Sequence, residues 1–98
     1  MKALRKAVVS GTGISLPDKV LTNQDLEKIV ETTDEWIITR TGIKERRQIP
    51  ENQTLLELSI PAARQAIANA GLTPDDIDLI IYATFTPDYQ VPATACLL

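Results

Sequence analysis

Apolar residues fall in separate stretches of this chain, divided by breaks rich in Gly, Pro, Thr and Asp. Lys6-Ala7-Val8-Val9-Ser10 is short, β-branched and followed by glycines. It predicts a strand over 6–10 and a turn over 11–17. Thr22 and Asp25 offer a hydroxyl and, three residues on, a carboxylate, the pattern of a helix capping box. Leu26, Ile29 and Val30 follow at helical spacing and predict an apolar stripe facing a core. A second helix start comes at once. Thr32 or Thr33 precedes Asp34 and Glu35, acids suited to the positive end of a helix dipole, and Gly42 is placed to end a helix over 34–40.

The stretch 43–49 alternates loosely and reads as a strand or an extended loop. From position 54 the period is helical. Leu56, Ile60, Ala63, Ile67 and Ala70 share one face, with Glu57, Arg64, Gln65 and Asn69 elsewhere on the wheel, and Gly71 is a good stop. Pro61 lacks an N–H, so a kink or a late start is expected. Ala62, Ala63, Ala66 and Ala70 point to close packing against a sheet or another helix. Thr73-Pro74-Asp75-Asp76 reads as a turn. The nearly all-apolar run 78–85 has the mark of a strand covered on both faces. Pro92 could open a helix in its first position.

Strand, helices, helix, strand, helix is α/β order. Two or three strands are too few to cover both faces of a sheet, and the final apolar stretch has no cap. The expectation is that residues 1–98 open a larger domain, incomplete at the C-terminus. The 98 residues are 44% hydrophobic and 23% charged, ordinary globular usage, and the length allows a modest core. With 10 Lys plus Arg against 13 Asp plus Glu, the net charge is −3, which makes nucleic acid and anionic lipid poor partners. No apolar run is long enough to span a membrane. The single cysteine, Cys96, cannot form an internal disulfide and fits a reducing, cytoplasmic setting. There is no histidine, which excludes imidazole general-base chemistry and His-ligated metal sites from this chain.

Four features bear on chemistry. Gly11-Thr12-Gly13 follows a predicted strand, but a dinucleotide fingerprint would need glycine at Leu16, and Pro17 would interrupt its helix. A plain turn is the better reading. Cys96 sits between Ala95 and Leu97 with no adjacent cation or base, so it reads as a packed core thiol rather than a nucleophile. Lys44, Arg46 and Arg47 surround Glu45 and read as solvated charge before phosphate ligands. Trp36 and Arg40 stand four apart on one short helix and project from the same face. An indole beside a guanidinium can clamp a planar heteroaromatic ring. The same pair also suits a Trp plugging a core with an Arg at its rim, and spacing alone leaves both open.

The run 32–46, Thr-Thr-Asp-Glu-Trp-Ile-Ile-Thr-Arg-Thr-Gly-Ile-Lys-Glu-Arg, resembles the N-terminal signature of β-ketoacyl-acyl-carrier-protein synthase III. The likeness extends to Gly11-Thr12-Gly13 with Leu16-Pro17, Thr22-Asn23 with Asp25-Leu26, Ala62-Ala63, Ala70-Gly71, Ala83-Thr84, and Pro92 with Ala95-Cys96. It implies an α/β thiolase-like fold: two similar halves in five layers, assembled as a homodimer, with this chain as the opening of the first half. The implied enzyme is an acyltransferase of fatty acid biosynthesis. It moves an acyl group from acyl-CoA onto a cysteine, then condenses it with malonyl-acyl carrier protein as carbon dioxide leaves.

The resemblance implies a Cys-His-Asn catalytic set outside this chain, so no catalytic residue is expected here, and no cofactor or metal. The chain by itself is expected not to catalyse condensation. Coenzyme A recognition carries over onto three residues. Trp36 would stack on the adenine, Thr32 would lie close to it, and Arg40 would lie at the nucleotide end. At Val91 several family members carry a phenylalanine that reaches across the dimer and closes the partner's acyl pocket. The smaller valine implies primers longer or more branched than acetyl. Pro61 is a second departure from the family pattern. Two other readings stand beside this one. One is a non-catalytic fragment that binds a nucleotide or another subunit. The other is a thiolase-fold relative of secondary metabolism or of 3-hydroxy-3-methylglutaryl-CoA synthesis.

Overall fold

The computed structural model describes residues 3–98. Its elements, in chain order, are β1 (Val20–Thr22), α1 (Asn23–Glu27), α2 (Asp34–Thr41), β2 (Glu45–Arg47) and α3 (Leu55–Asn69). Two 3₁₀ turns, Pro74–Asp76 and Thr94–Cys96, follow. The chain divides into two compact units, one formed by Leu16–Thr54 and the other by the preceding segment together with Leu55–Leu98.

In the unit Leu16–Thr54, β1 and β2 pair antiparallel, with Leu21 opposite Arg46. Strand β1 was not foreseen: its three residues are too short to show alternation. Strand β2 settles the 43–49 stretch as a strand at its centre. Helix α1 starts on the expected box. The Asp25 carboxylate accepts from the Thr22 backbone N–H at 3.0 Å and from its hydroxyl at 2.8 Å. These bonds, the backbone N–H first, hold the Asp25 carboxyl below its ordinary value. The stabilisation is therefore present above the ordinary carboxylate range and is lost as pH falls through the lowered value. Helix α1 ends sooner than the apolar pattern implies. Leu26 is half-buried, but Ile29 and Val30 lie in the exposed turn beyond it, so the expected core-facing stripe does not form.

Helix α2 begins at Thr33, whose hydroxyl accepts from the Trp36 N–H at 3.1 Å. It ends at Gly42, which takes the left-handed conformation (φ 71°) and donates to the Ile38 carbonyl at 2.8 Å. Its buried side chain is Ile37. Arg46 and Arg47 are not simply solvated charge. Arg46 donates to the Leu21 carbonyl at 3.2 Å, and Arg47 donates to the Pro17 carbonyl at 3.0 Å. Both guanidiniums tie β2 to the chain before and within β1.

In the other unit α3 is the axis. The positions expected to face inward (Leu56, Ile60, Ala63, Ile67 and Ala70) are all half-buried, and Glu57, Arg64, Gln65 and Asn69 are exposed. The helix starts at Leu55 and runs through Pro61, so no late start occurs. Its first N–H groups find a distant cap: Asp88 accepts from Leu55 and Leu56, each at 2.9 Å. Gly71 (φ 70°) closes it, with the Leu72 N–H donating to the Ile67 carbonyl at 3.1 Å. The turn after it is pinned by Asp76, which accepts from the Thr73 backbone N–H and hydroxyl at 2.8 and 3.0 Å.

Three expectations fail in this unit. Residues 6–10 and 78–85 are not in a strand ladder; Val8, Leu79 and Ile81 are 85%, 76% and 84% exposed. A strand exists only through a neighbour's N–H and C=O groups, and no neighbour pairs with either segment among the described residues. After Pro92 the chain makes only the 3₁₀ turn Thr94–Cys96, so Cys96 is exposed rather than packed in a core helix. The modest core is likewise not realised. Ile37 and Pro17 are the buried apolar residues among those described, and they lie in the first unit.

The small-residue stripe of α3 meets an extended segment, not a sheet or a helix. The Asn69 amide donates to the Thr12 carbonyl at 2.9 Å, and Gln65 accepts from the Ile14 N–H at 2.8 Å. Beside these bonds the backbone at Gly11 and Gly13 lies directly on the helix. A Cβ on Gly13 would run into the Ala62 carbonyl and stand 2.7 Å from the Ala66 nitrogen; on Gly11 it would meet the Ala66 carbonyl and stand 2.7 Å from the Ala70 nitrogen. The glycines are therefore a helix-contact device, neither a free turn nor a phosphate loop. Gly13→Ala should destabilise the protein by about 1–3 kcal/mol or more, because backbone on both sides must move. Urea unfolding against the exposed control Asn52→Ala measures this. A loss below about 0.5 kcal/mol would show that the segment does not sit on α3.

Candidate functional site

Helix α2 carries the candidate site. Its amphipathic logic is simple: Ile37 turns inward, and Trp36 and Arg40, four apart, turn outward. Trp36 is 57% exposed, so it is not a core plug. The Arg40 guanidinium carbon stands 5.6 Å from the centroid of its ring. That distance lies within cation–π range, worth about 0.5–1 kcal/mol at an exposed position. Arg40 also lies in the last turn of α2, where a cation meets the negative end of the helix. Beside the indole is a shallow cleft of about 310 Å³ lined by Glu31, Thr32, Thr33 and Trp36. Thr32 is half-buried there and Glu31 is exposed. An open aromatic face, a hydroxyl and a carboxylate able to accept from an amine stand together at one rim, with a cation over the ring. Such a set can receive a flat heteroaromatic group attached to an anion.

Of the residues expected from the sequence, the structure thus brings Thr32, Trp36 and Arg40 to one place. Val91 belongs to the other unit; it is 87% exposed and precedes a cis peptide bond to Pro92. Glu31 was missed, for an acid ahead of two threonines reads as ordinary helix-start charge. Asn23 was missed as well, and it is the one fully buried polar side chain of this unit. Its signal was faint: an Asn directly after a capping Thr, inside a helix that Asn does not favour.

No family model matches the chain. Single proteins do. The chain is 52% identical, over 95 residues, to the β-ketoacyl-[acyl-carrier-protein] synthase III of Symbiobacterium thermophilum, an alignment covering 97% of this chain and 29% of that protein. It superposes on the crystal structure of 3-oxoacyl-[acyl-carrier-protein] synthase III from Aquifex aeolicus with a TM-score of 0.77 at 57% identity, covering 89% of this chain and 28% of that one. Over nearly its whole length the chain is similar to β-ketoacyl-[acyl-carrier-protein] synthase III proteins. The priming β-ketosynthase of the R1128 polyketide pathway is similar too, with a TM-score of 0.80 at 32% identity over 91% of this chain and 27% of its own. The chain therefore spans under a third of the length of these synthases, and its α/β elements are part of their thiolase-like fold. Among the described residues no helix is long and apolar enough to cross a membrane.

The exposure of Trp36 has a direct consequence. Trp36→Ala should cost no more than about 1 kcal/mol of stability, the cost of a surface change, rather than the ~3–5 kcal/mol of a buried tryptophan. Chemical denaturation of the protein with and without the substitution decides the point. A loss above 3 kcal/mol would return Trp36 to the core.

Proposed function

We propose that this chain supplies the coenzyme A nucleotide site of an acyltransferase that starts fatty acid synthesis. The enzyme joins an acyl-CoA primer to malonyl-acyl carrier protein. In this reading the chain is the opening part of the first half of a homodimeric, cytoplasmic thiolase-fold enzyme. The observation that carries the reading is the exposed Trp36, with Arg40 over its ring, at the edge of the cleft that Thr32 lines. Trp36 stacks on the adenine, Thr32 borders it, and Arg40 places positive charge toward the phosphates.

The chemistry needs a thiolate nucleophile and groups that polarise a thioester carbonyl. The thiolate attacks the acyl-CoA carbonyl, and coenzyme A leaves as its thiol. Loss of carbon dioxide from the malonyl thioester then yields the carbanion that attacks the acyl-enzyme and releases the thiolate. This chain has no histidine, and its single cysteine has no cation or base beside it in sequence. The Cys-His-Asn set therefore comes from outside these residues. What the chain's own residues do is bind and orient the nucleotide end of the primer. Binding energy realised there, far from the reacting carbon, holds the thioester for attack.

Two measurements on the synthase carrying this chain test the reading. Trp36→Ala should raise the KM for acyl-CoA by roughly five- to 150-fold, the equivalent of ~1–3 kcal/mol of stacking, with little change in kcat. An unchanged KM in a folded variant would remove Trp36 from the site.

The second concerns the primer. In this reading Val91 replaces a phenyl ring with an isopropyl group at the end of the partner's acyl pocket. Each methylene that the freed space admits contributes ~0.8 kcal/mol. The enzyme should therefore use butyryl- or isobutyryl-CoA at least as well as acetyl-CoA. Val91→Phe should shift kcat/KM toward acetyl-CoA by roughly one to two orders of magnitude. If acetyl-CoA is already strongly preferred and Val91→Phe changes nothing, Val91 does not line the pocket.

A further inference from the structure

Helix α2 has eight residues and one buried side chain, Ile37, so little in its own sequence fixes where its outer face stands. What holds it is polar and comes from Asn23, which is 0% exposed. The Asn23 Nδ2 donates to the Asp34 carboxylate at 2.7 Å, in the first turn of α2. The same nitrogen donates to the Ile43 carbonyl at 2.8 Å, just past the Gly42 that ends the helix. The Asn23 backbone N–H donates to the Lys44 carbonyl at 3.2 Å. Its Oδ1 accepts from the Arg46 guanidinium at 2.7 Å. Both amide hydrogens and the amide oxygen are thus used, and the partners lie at the first residue of α2 and in the chain just past its end. Glu27 adds to the first clamp by accepting from the Asp34 N–H at 2.7 Å.

We infer that Asn23 is a positioning residue for the coenzyme A site, its buried amide fixing both ends of α2 and so the stance of Trp36 and Arg40. The inference rests on the nucleotide-binding reading of that helix face. Neither the acid nor the aliphatic of similar size fits the place. Aspartate would set a carboxylate against the Asp34 carboxylate and the Ile43 carbonyl. Leucine, of similar size, would leave the half-buried Asp34 oxygen and Arg46 guanidinium and the Ile43 carbonyl without this partner. Asn23 touches no substrate; it acts through the helix that does.

The test is steady-state kinetics on the synthase carrying this chain, with Asn23→Ala, Asp34→Ala and Asp34→Asn made alone and combined with Trp36→Ala. Asn23→Ala and Asp34→Ala should each raise the KM for acyl-CoA by roughly tenfold, the effect of one lost buried hydrogen bond. The KM for malonyl-acyl carrier protein and kcat should stay within about twofold. Asp34→Asn keeps an oxygen that accepts from Asn23 and should restore KM. With Trp36→Ala already present, neither alanine variant should change KM by more than about twofold, because the contact they position is gone. If Asn23→Ala does not fold, the Asp34 pair carries the same test. A wild-type KM in Asp34→Ala, failure of Asp34→Asn to restore it, or effects that multiply with Trp36→Ala would each overturn the positioning role while Trp36 remains a binding residue. A KM indifferent to Trp36→Ala would overturn the nucleotide reading itself, and the positioning role with it.

Discussion

A buried amide must satisfy two donors and an acceptor, and the unit Leu16–Thr54 is arranged around one that does. Asn23 sits where β1 passes into α1, and its partners come from α2, from the chain leaving α2, and from β2. Leaving any of them unpaired costs more than a typical formed bond contributes, so the four segments are fixed relative to one another as a set. Apolar burial alone would not do this here. Ile37 and Pro17 are all the buried apolar residues this unit offers, and the hydrophobic effect is non-directional. Directional bonds supply the geometry that a small core leaves loose.

The other unit rests on a different constraint, the close approach of backbone to backbone. Gly11 and Gly13 let the extended segment lie on the Ala62, Ala66 and Ala70 stripe of α3, and Asn69 and Gln65 bond across the contact. The Leu55 end of α3 is held by Asp88, some thirty residues later. Tyr82 reaches the same end, pairing its hydroxyl with that of Ser59. This unit is an axis with partners laid along it rather than a sheet. Its apolar segments at Val8, Leu79, Ile81 and Phe85 face outward.

What the sequence shows and what it hides follow from the range of each interaction. The capping box at Thr22 and Asp25, the stop at Gly42, the inward face of α3 and the turn at Thr73 are local. A residue and its partner lie within one helical turn, so spacing is enough to read them. The larger failures are non-local. An apolar run at 78–85 has the composition of a buried strand, but composition cannot supply a neighbour. Arg46 and Arg47 read as surface charge because their acceptors, carbonyls of Leu21 and Pro17, are some twenty-five to thirty residues away and carry no side-chain signature. Cys96 reads as core from its apolar neighbours, and that reading fails because Cys96 and Leu97 are both exposed. The site divides along the same line. The spacing of four puts Trp36 and Arg40 on one face but leaves open whether that face meets a ligand or a core. Asn23 was not legible, because nothing in an asparagine announces which segments it joins.

The division also accounts for the stretch 32–46 being so distinctive. It contains the outward face of α2, with Trp36 and Arg40, and the cap and stop that bound it, Thr33 and Gly42. It contains Asp34, Ile43 and Arg46, three groups that hold the Asn23 amide. Each of these positions has a separate physical demand: an oxygen acceptor at 34, an aromatic face at 36, a buried aliphatic at 37, a cation at 40, a left-handed residue at 42, a guanidinium at 46. Few substitutions meet any one of them, and a sequence that meets all of them within fifteen residues describes one local structure. The two half-clamps outside the stretch, Asn23 and Glu27, then stand at fixed places in α1 because the box at Thr22 and Asp25 fixes where that helix starts. The outward face of α2 is thereby specified twice, by its own residues and by the polar frame that holds them.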